Sequence, residues 1–206
     1  MRLFKAVLLL YILLCIQISH AQNSSYQVGY LITAERDTIS GWVKDRDNGA
    51  FQSLYKRIRF IANGNKRPKR YGPNDIVGYG YGNTHFLSVP LREETIFFVT
   101  RYLIDESQDK IFLKLVRRNK HITYFKKEFV WDDNDIIDEY PLFYRHGKKE
   151  LVRVTQGVLG LKFKRLAEYF NDCPELVELI LNQKITTVDG VYNYFSTTCS
   201  ESIPLN

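Results

Sequence analysis

Residues Val77–Phe86 read "VGYGYGNTHF", three glycines alternating with two tyrosines. A glycine-rich phosphate cradle opens a helix directly behind its glycines. Here the glycines follow a proline bend, "YGPNDI", and lead into a second strand-like run, "HFLSVPL". The stretch is therefore a strand. At period two, Val77, Tyr79 and Tyr81 share one face, while Ile76, Gly78, Gly80 and Gly82 share the other. A face nearly bare of side chains lets a neighbouring ring or helix come close to the backbone. The competing reading makes Tyr79 and Tyr81 an aromatic platform for a ligand.

Strand patterns continue on both sides. In "YQVGYLITA", Tyr26, Val28, Tyr30, Ile32 and Ala34 fall on one face, and "TISGWVK" returns after the turn "ERD". "RDNG" (46–49) carries an Asn-Gly turn signal, and "KRIRFIA" with the segment after "NGNK" reads as a second hairpin. In the bend, Pro73 presets φ, and Asn74 and Asp75 can bond their own backbone. "TIFFVTRYLI" reads as one apolar strand by its β-branched and aromatic content. "KIFLKLV" with "HITYFKK", and "PLFYRH" with "ELVRVTQ", form two further hairpins. Hairpins with no helix between them predict an antiparallel β-meander over residues 22–160, as a curved sheet or half-open barrel.

After Gly160 the period changes. Phe163, Leu166, Ala167 and Phe170 stand at i, i+3, i+4 and i+7, one apolar helix face. "DCPE" starts another helix with Pro174 in its first turn and Leu176, Leu179 and Ile180 on its buried side. "TTVD" starts a third, with Thr186 as the expected cap and Val188, Val191, Tyr192 and Phe195 as its apolar face. Residues 161–206 thus form two or three short helices packed on the sheet, and the fold class is α+β. An antiparallel helix pair would set Cys173 beside Cys199, and a disulfide there would contribute roughly 3 kcal/mol. Two free thiols are the alternative.

The N-terminus assigns the compartment. Arg2 and Lys5 precede the apolar run "AVLLLYILLCIQI", and Ser19 and Ala21 occupy the small positions of a cleavage site. Residues 1–21 read as a signal peptide. The run is shorter than the roughly 20 residues a membrane span needs, and Leu14 stands where lipidation at Cys15 requires a small residue. Removing the signal lowers the net charge from +6 to +4, because it contains Arg2, Lys5 and no acid. An exported chain of that modest charge is not a nucleic-acid binder. The expected location is periplasmic, outer-membrane-associated or secreted.

Catalytic motifs are missing: no Gly-x-Ser-x-Gly, no His-Glu-x-x-His, no Walker loop. His85, His121 and His146 stand apart, so no metal or cofactor is expected. "SLYK" (53–56) has the Ser-x-x-Lys spacing without its companion elements. "DDNDIIDE" (132–139) lacks the glycine of a calcium loop and reads as a solvated turn. "KRPKR" (66–70) reads as a charged turn and strand edge, with a binding role for anionic glycan or lipid headgroups as the alternative. Aromatic residues reach 14% of the chain, with 14 tyrosines. They place a candidate binding platform at Trp42, Tyr79, Tyr81 and Trp131.

At "GYLITAERDTISGWV", "YGPNDIVGYGYGN", "YFNDCP" and "VYNYF" the chain resembles a group of exported Bacteroidota-type proteins without an assigned activity. The resemblance implies envelope localisation and this strand-then-helix architecture, and nothing about activity. The leading expectation is a non-enzymatic binding or structural module whose partner is an envelope protein or glycan. A hydrolase of cell-wall or glycan material is the alternative, and it requires a cleft in which titratable groups converge. A small outer-membrane barrel fits poorly with the helical C-terminus and the charged strands "KRIRF" and "KIFLKLV".

Overall fold

The computed structural model describes residues 26–45, 57–97, 99–130 and 137–199. The expected signal peptide (1–21), "RDNG", "SLYK", Trp131 and most of "DDNDIIDE" lie outside the described residues. Among the described residues, eleven strands form one antiparallel sheet. The first hairpin is β1 (Gln27–Ile32) with β2 (Thr38–Lys44), and the second is β3 (Ile58–Ala62) with β4 (Lys69–Tyr71). The glycine stretch supplies β5 (Gly78–Tyr81), which returns to pair with β1 and then turns into β6 (Thr84–Ile96). β7 (Val99–Ile104), β8 (Lys110–Arg118), β9 (Ile122–Val130), β10 (Ile137–Arg145) and β11 (Glu150–Arg153) complete the set.

Six of these strands close a ring, β6-β7-β11-β10-β9-β8, sealed by the pairing of β6 with β8. The remaining five extend from β6 in the order β5-β1-β2-β3-β4. The arrangement is thus more than a meander, because β5 pairs with β1, β7 with β11 and β6 with β8. β6 is long enough to serve both parts: it meets β5 over Thr84–Leu87, β8 over His85–Pro90 and β7 over Leu91–Ile96. Its alternating side chains divide accordingly. Phe86 joins Leu31, Val43, Phe60, Tyr79 and Phe112 under the extension, whereas Val89 and Leu91 join Leu113, Phe125 and Leu142 inside the ring. A ring of this size is filled by side chains and leaves no channel.

The segment "TIFFVTRYLI" is not one strand. Phe97 adopts φ +48° and the chain reverses there, so that Thr95 faces Thr100 and Glu94 faces Arg101. Propensity favours strand on both sides and is blind to a turn that contains no glycine, proline or asparagine. In β1 period two holds, but the buried face carries Leu31, while Val28 on the opposite face is 67% exposed.

Three helices follow: α1 (Phe163–Tyr169), α2 (Pro174–Leu181) and α3 (Val188–Thr197). Leu166, Phe170, Leu176, Ile180, Val191 and Phe195 make one cluster with Ile122, Tyr124, Phe143 and Val152 of β9, β10 and β11. The helices therefore cover the outer face of the ring. Cys173 and Cys199 are bonded and buried in this cluster, joining the start of α2 to the end of α3. The cap of α3 is Thr187, one residue after the expected Thr186, with its Oγ1 accepting from the Gly190 N–H at 3.0 Å. Arg145, at the end of β10, ties sheet to helices. It pairs with Asp172, donates to the Tyr169 carbonyl at 3.0 Å, and lies 4.8 Å from the centre of the Phe195 ring.

Candidate functional site

The glycine stretch has a structural job. Gly80 lies between Tyr30 of β1 and His85 of β6 in register, and both side chains lean across it. Tyr30 Oη and His85 Nδ1 meet at 2.8 Å, and a Cβ built on Gly80 would come within 2.8 Å of either ring. Half-burial raises the Tyr30 pKa. The expected close approach to the glycine face is thus met by rings and not by a helix. On the opposite face Tyr79 is fully buried and Tyr81 half-buried. Both hydroxyls donate to Asp45, each at 2.7 Å, one to each oxygen of the carboxylate. Tyr79 also stacks on Phe86 at 4.8 Å. These two tyrosines are a clamp inside the core, not an exposed platform, because in-register Leu31 and Phe86 draw that face inward.

Of the four expected platform residues, Trp42 stands exposed and Trp131 is outside the described residues. Trp42 follows from alternation in β2. Gly41 and Val43 point inward, where the Phe60 ring lies against Gly41, so Trp42 points out and is 46% exposed. Register then sets Val28 and Ile61 beside it, on either side across the sheet. Two residues further along, the same face carries Lys44, Arg59 and Arg70 in register. Arg59 and Arg70 are exposed. An aromatic-centred apolar row thus lies beside a row of cations. β4 is the free edge of the sheet, and Pro68 and Lys69 there suit the expected edge role of "KRPKR".

A cleft of about 410 Å³ opens between β11 and α1, lined in part by Lys148, Lys149, Glu150, Arg165, Glu168 and Tyr169. Its two carboxylates are engaged by one cation: Arg165 holds Glu150 and also Glu168, the latter at 3.2 Å. The Tyr169 hydroxyl donates to the Glu150 carbonyl at 3.0 Å and accepts from the Arg145 N–H, while burial pushes its pKa up. Elsewhere, Glu139 is shared by Lys114 and Lys126. Burial opposes its ionisation, but the two ammonium partners prevail and hold its pKa below the ordinary value.

Two of the histidines serve separate local roles. His85 bonds Tyr30, and His146 bridges Thr123 Oγ1 at 2.8 Å and the Lys120 carbonyl at 2.9 Å. The carbonyl can only accept, so Nδ1 carries the proton and Nε2 accepts from the Thr123 hydroxyl. Burial lowers the His146 pKa, consistent with that neutral form. Among the described residues no three His, Cys, Asp or Glu side chains gather into a metal-binding group. No described helix is long and apolar enough to cross a membrane. Sequence reasoning found Trp42 and singled out Arg70 within "KRPKR", but missed the row that Lys44, Arg59 and Arg70 form together.

No protein-family model matches the chain, and no curated protein or solved structure matches it either.

Proposed function

We propose that this chain is an exported, non-enzymatic binding module that holds an envelope macromolecule on the exposed face of β1–β4. The observation that carries the reading is Trp42, exposed between Val28 and Ile61 and bordered by the cation row. A large, exposed aromatic side chain supplies contact area at little conformational cost. The signal-like N-terminus supports export, and the resemblance to exported envelope proteins supports the location. Against the hydrolase reading stands the cleft beside α1, where Glu150 and Glu168 are both engaged by Arg165.

The test is Trp42→Ala. An exposed side chain away from the core contributes within about 0.5 kcal/mol to stability, so the variant should fold normally. Retention of the mature protein on washed envelope fragments should fall by about tenfold, equivalent to about 1.4 kcal/mol of contact. Retention equal to wild type refutes the proposal.

A further inference from the structure

We infer that the ligand of the β1–β4 face is an anionic polysaccharide, an inference that rests on the binding role proposed above. Charge comes first. The four strands contain no Asp or Glu, while they carry Lys44, Arg59, Lys69 and Arg70. Three of these cations share the exposed face in one register row, Lys44 opposite Arg59 and Arg59 opposite Arg70. Like charges directly opposite on neighbouring strands are destabilising. Arg59 and Arg70 form no ion pair among the described residues that would relieve this. A bound anion would relieve it.

Geometry then selects the class. Neighbouring strands lie about 4.8 Å apart, so the guanidinium groups of Arg59 and Arg70 can take one carboxylate or sulfate between them. The Trp42 row lies two residues away, roughly 7 Å along the strand. A sugar ring can therefore stack its C–H face on the indole while its acidic substituent reaches the arginines. The Tyr30–His85 pair in the next row adds polar groups for hydroxyls. A protein partner would need about 800 Å² per side around an apolar centre, and three apolar side chains on an open face are too few. A bilayer would need an apolar surface to insert, and the cations and polar pair frame this one.

The experiment is native affinity electrophoresis of the mature chain in gels containing polygalacturonate, dextran sulfate or neutral dextran. Wild type should be retarded by at least one acidic polymer and not by dextran. Trp42→Ala and the double variant R59Q/R70Q should each weaken that retardation by about tenfold, the order expected for losing one stacking or charge-assisted contact. A control of equal charge loss in the C-terminal layer, K164Q/K184Q, should leave it within about twofold. Circular dichroism melts confirm that each variant folds. Equal weakening by the control, indifference to Trp42→Ala, or tighter binding to anionic phospholipid vesicles than to either polymer would overturn the inference. If neither polymer binds while envelope retention still depends on Trp42, the polysaccharide inference falls and the proposed function stands. If retention is also indifferent to Trp42, both fall.

Discussion

Replacing Gly80 with alanine puts a methyl group between two rings already in contact. The added Cβ would lie 2.8 Å from His85 Nδ1 and 2.8 Å from Tyr30 Cε1, well inside contact distance. The two rings are held together by their own 2.8 Å hydrogen bond, so they must part to admit the methyl. Parting them loses about 1 kcal/mol of hydrogen bond, and overpacking adds about 1–3 kcal/mol. Alanine returns about 0.5–1 kcal/mol through reduced backbone entropy in the unfolded chain. The net expectation is a loss of about 1–3 kcal/mol, read from urea unfolding. Gly78→Ala should cost more, because its Cβ would meet the Phe86 carbonyl oxygen at 2.4 Å, and backbone cannot rotate away as a ring can. A double-mutant cycle completes the test. Tyr30→Phe should cost about 1 kcal/mol in wild type and nearly nothing beside Gly80→Ala, since the hydrogen bond is already gone. Gly80→Ala as stable as wild type, with Tyr30→Phe equally costly in both backgrounds, would refute this packing argument.

Three further outcomes follow from the helical layer and the end of β10. Removing the disulfide, which closes a 26-residue separation, with Cys173→Ser and Cys199→Ser should lower stability by about 3.5 kcal/mol in the chain-entropy model; unfolding at the same urea midpoint as wild type would contradict it. Arg145→Met removes the cation from a carboxylate that is 37% exposed and should cost about 1.5–3 kcal/mol at neutral pH. Burial opposes ionisation of Asp172, yet Arg145 holds its pKa below the ordinary 3.8, so the pair's stabilisation is present above that value. It is lost as pH falls through the depressed folded value, and the gap between wild type and Asp172→Asn should narrow there. For His146 burial also depresses the folded pKa, below 6.5, so its contribution is complete above 6.5 and declines as pH falls through the folded value. An NMR titration placing His146 above 6.5 would contradict that account.

What the sequence made legible was local. Period two in "YQVGYLITA" and "KIFLKLV", and the i, i+3, i+4, i+7 faces at Phe163 and Val188, located strands and helices because each pattern lies within one element. Alternation also told which residues of the glycine stretch share a face. It did not tell which face is buried, since Tyr79 fits a core or a platform equally well until Leu31 and Phe86 are placed opposite it. Asp45, which receives both tyrosine hydroxyls, lies 34 and 36 residues away and leaves no local trace. Ring closure and the Lys44–Arg59–Arg70 row were hidden for the same reason, because register between strands is set by non-local pairing. Trp42 was visible because polar neighbours on a short strand mark an outward side chain.

The central claim is that the β1–β4 face is the binding surface. Backbone amide shifts of the ¹⁵N-labelled mature chain, recorded as polygalacturonate or dextran sulfate is added, test it most directly. The account predicts that the largest changes map to Val28, Trp42, Arg59, Ile61 and Arg70, with the Trp42 indole N–H among them. Changes confined to the cleft around Glu150, Arg165 and Tyr169, with the Trp42 face unmoved, would contradict it.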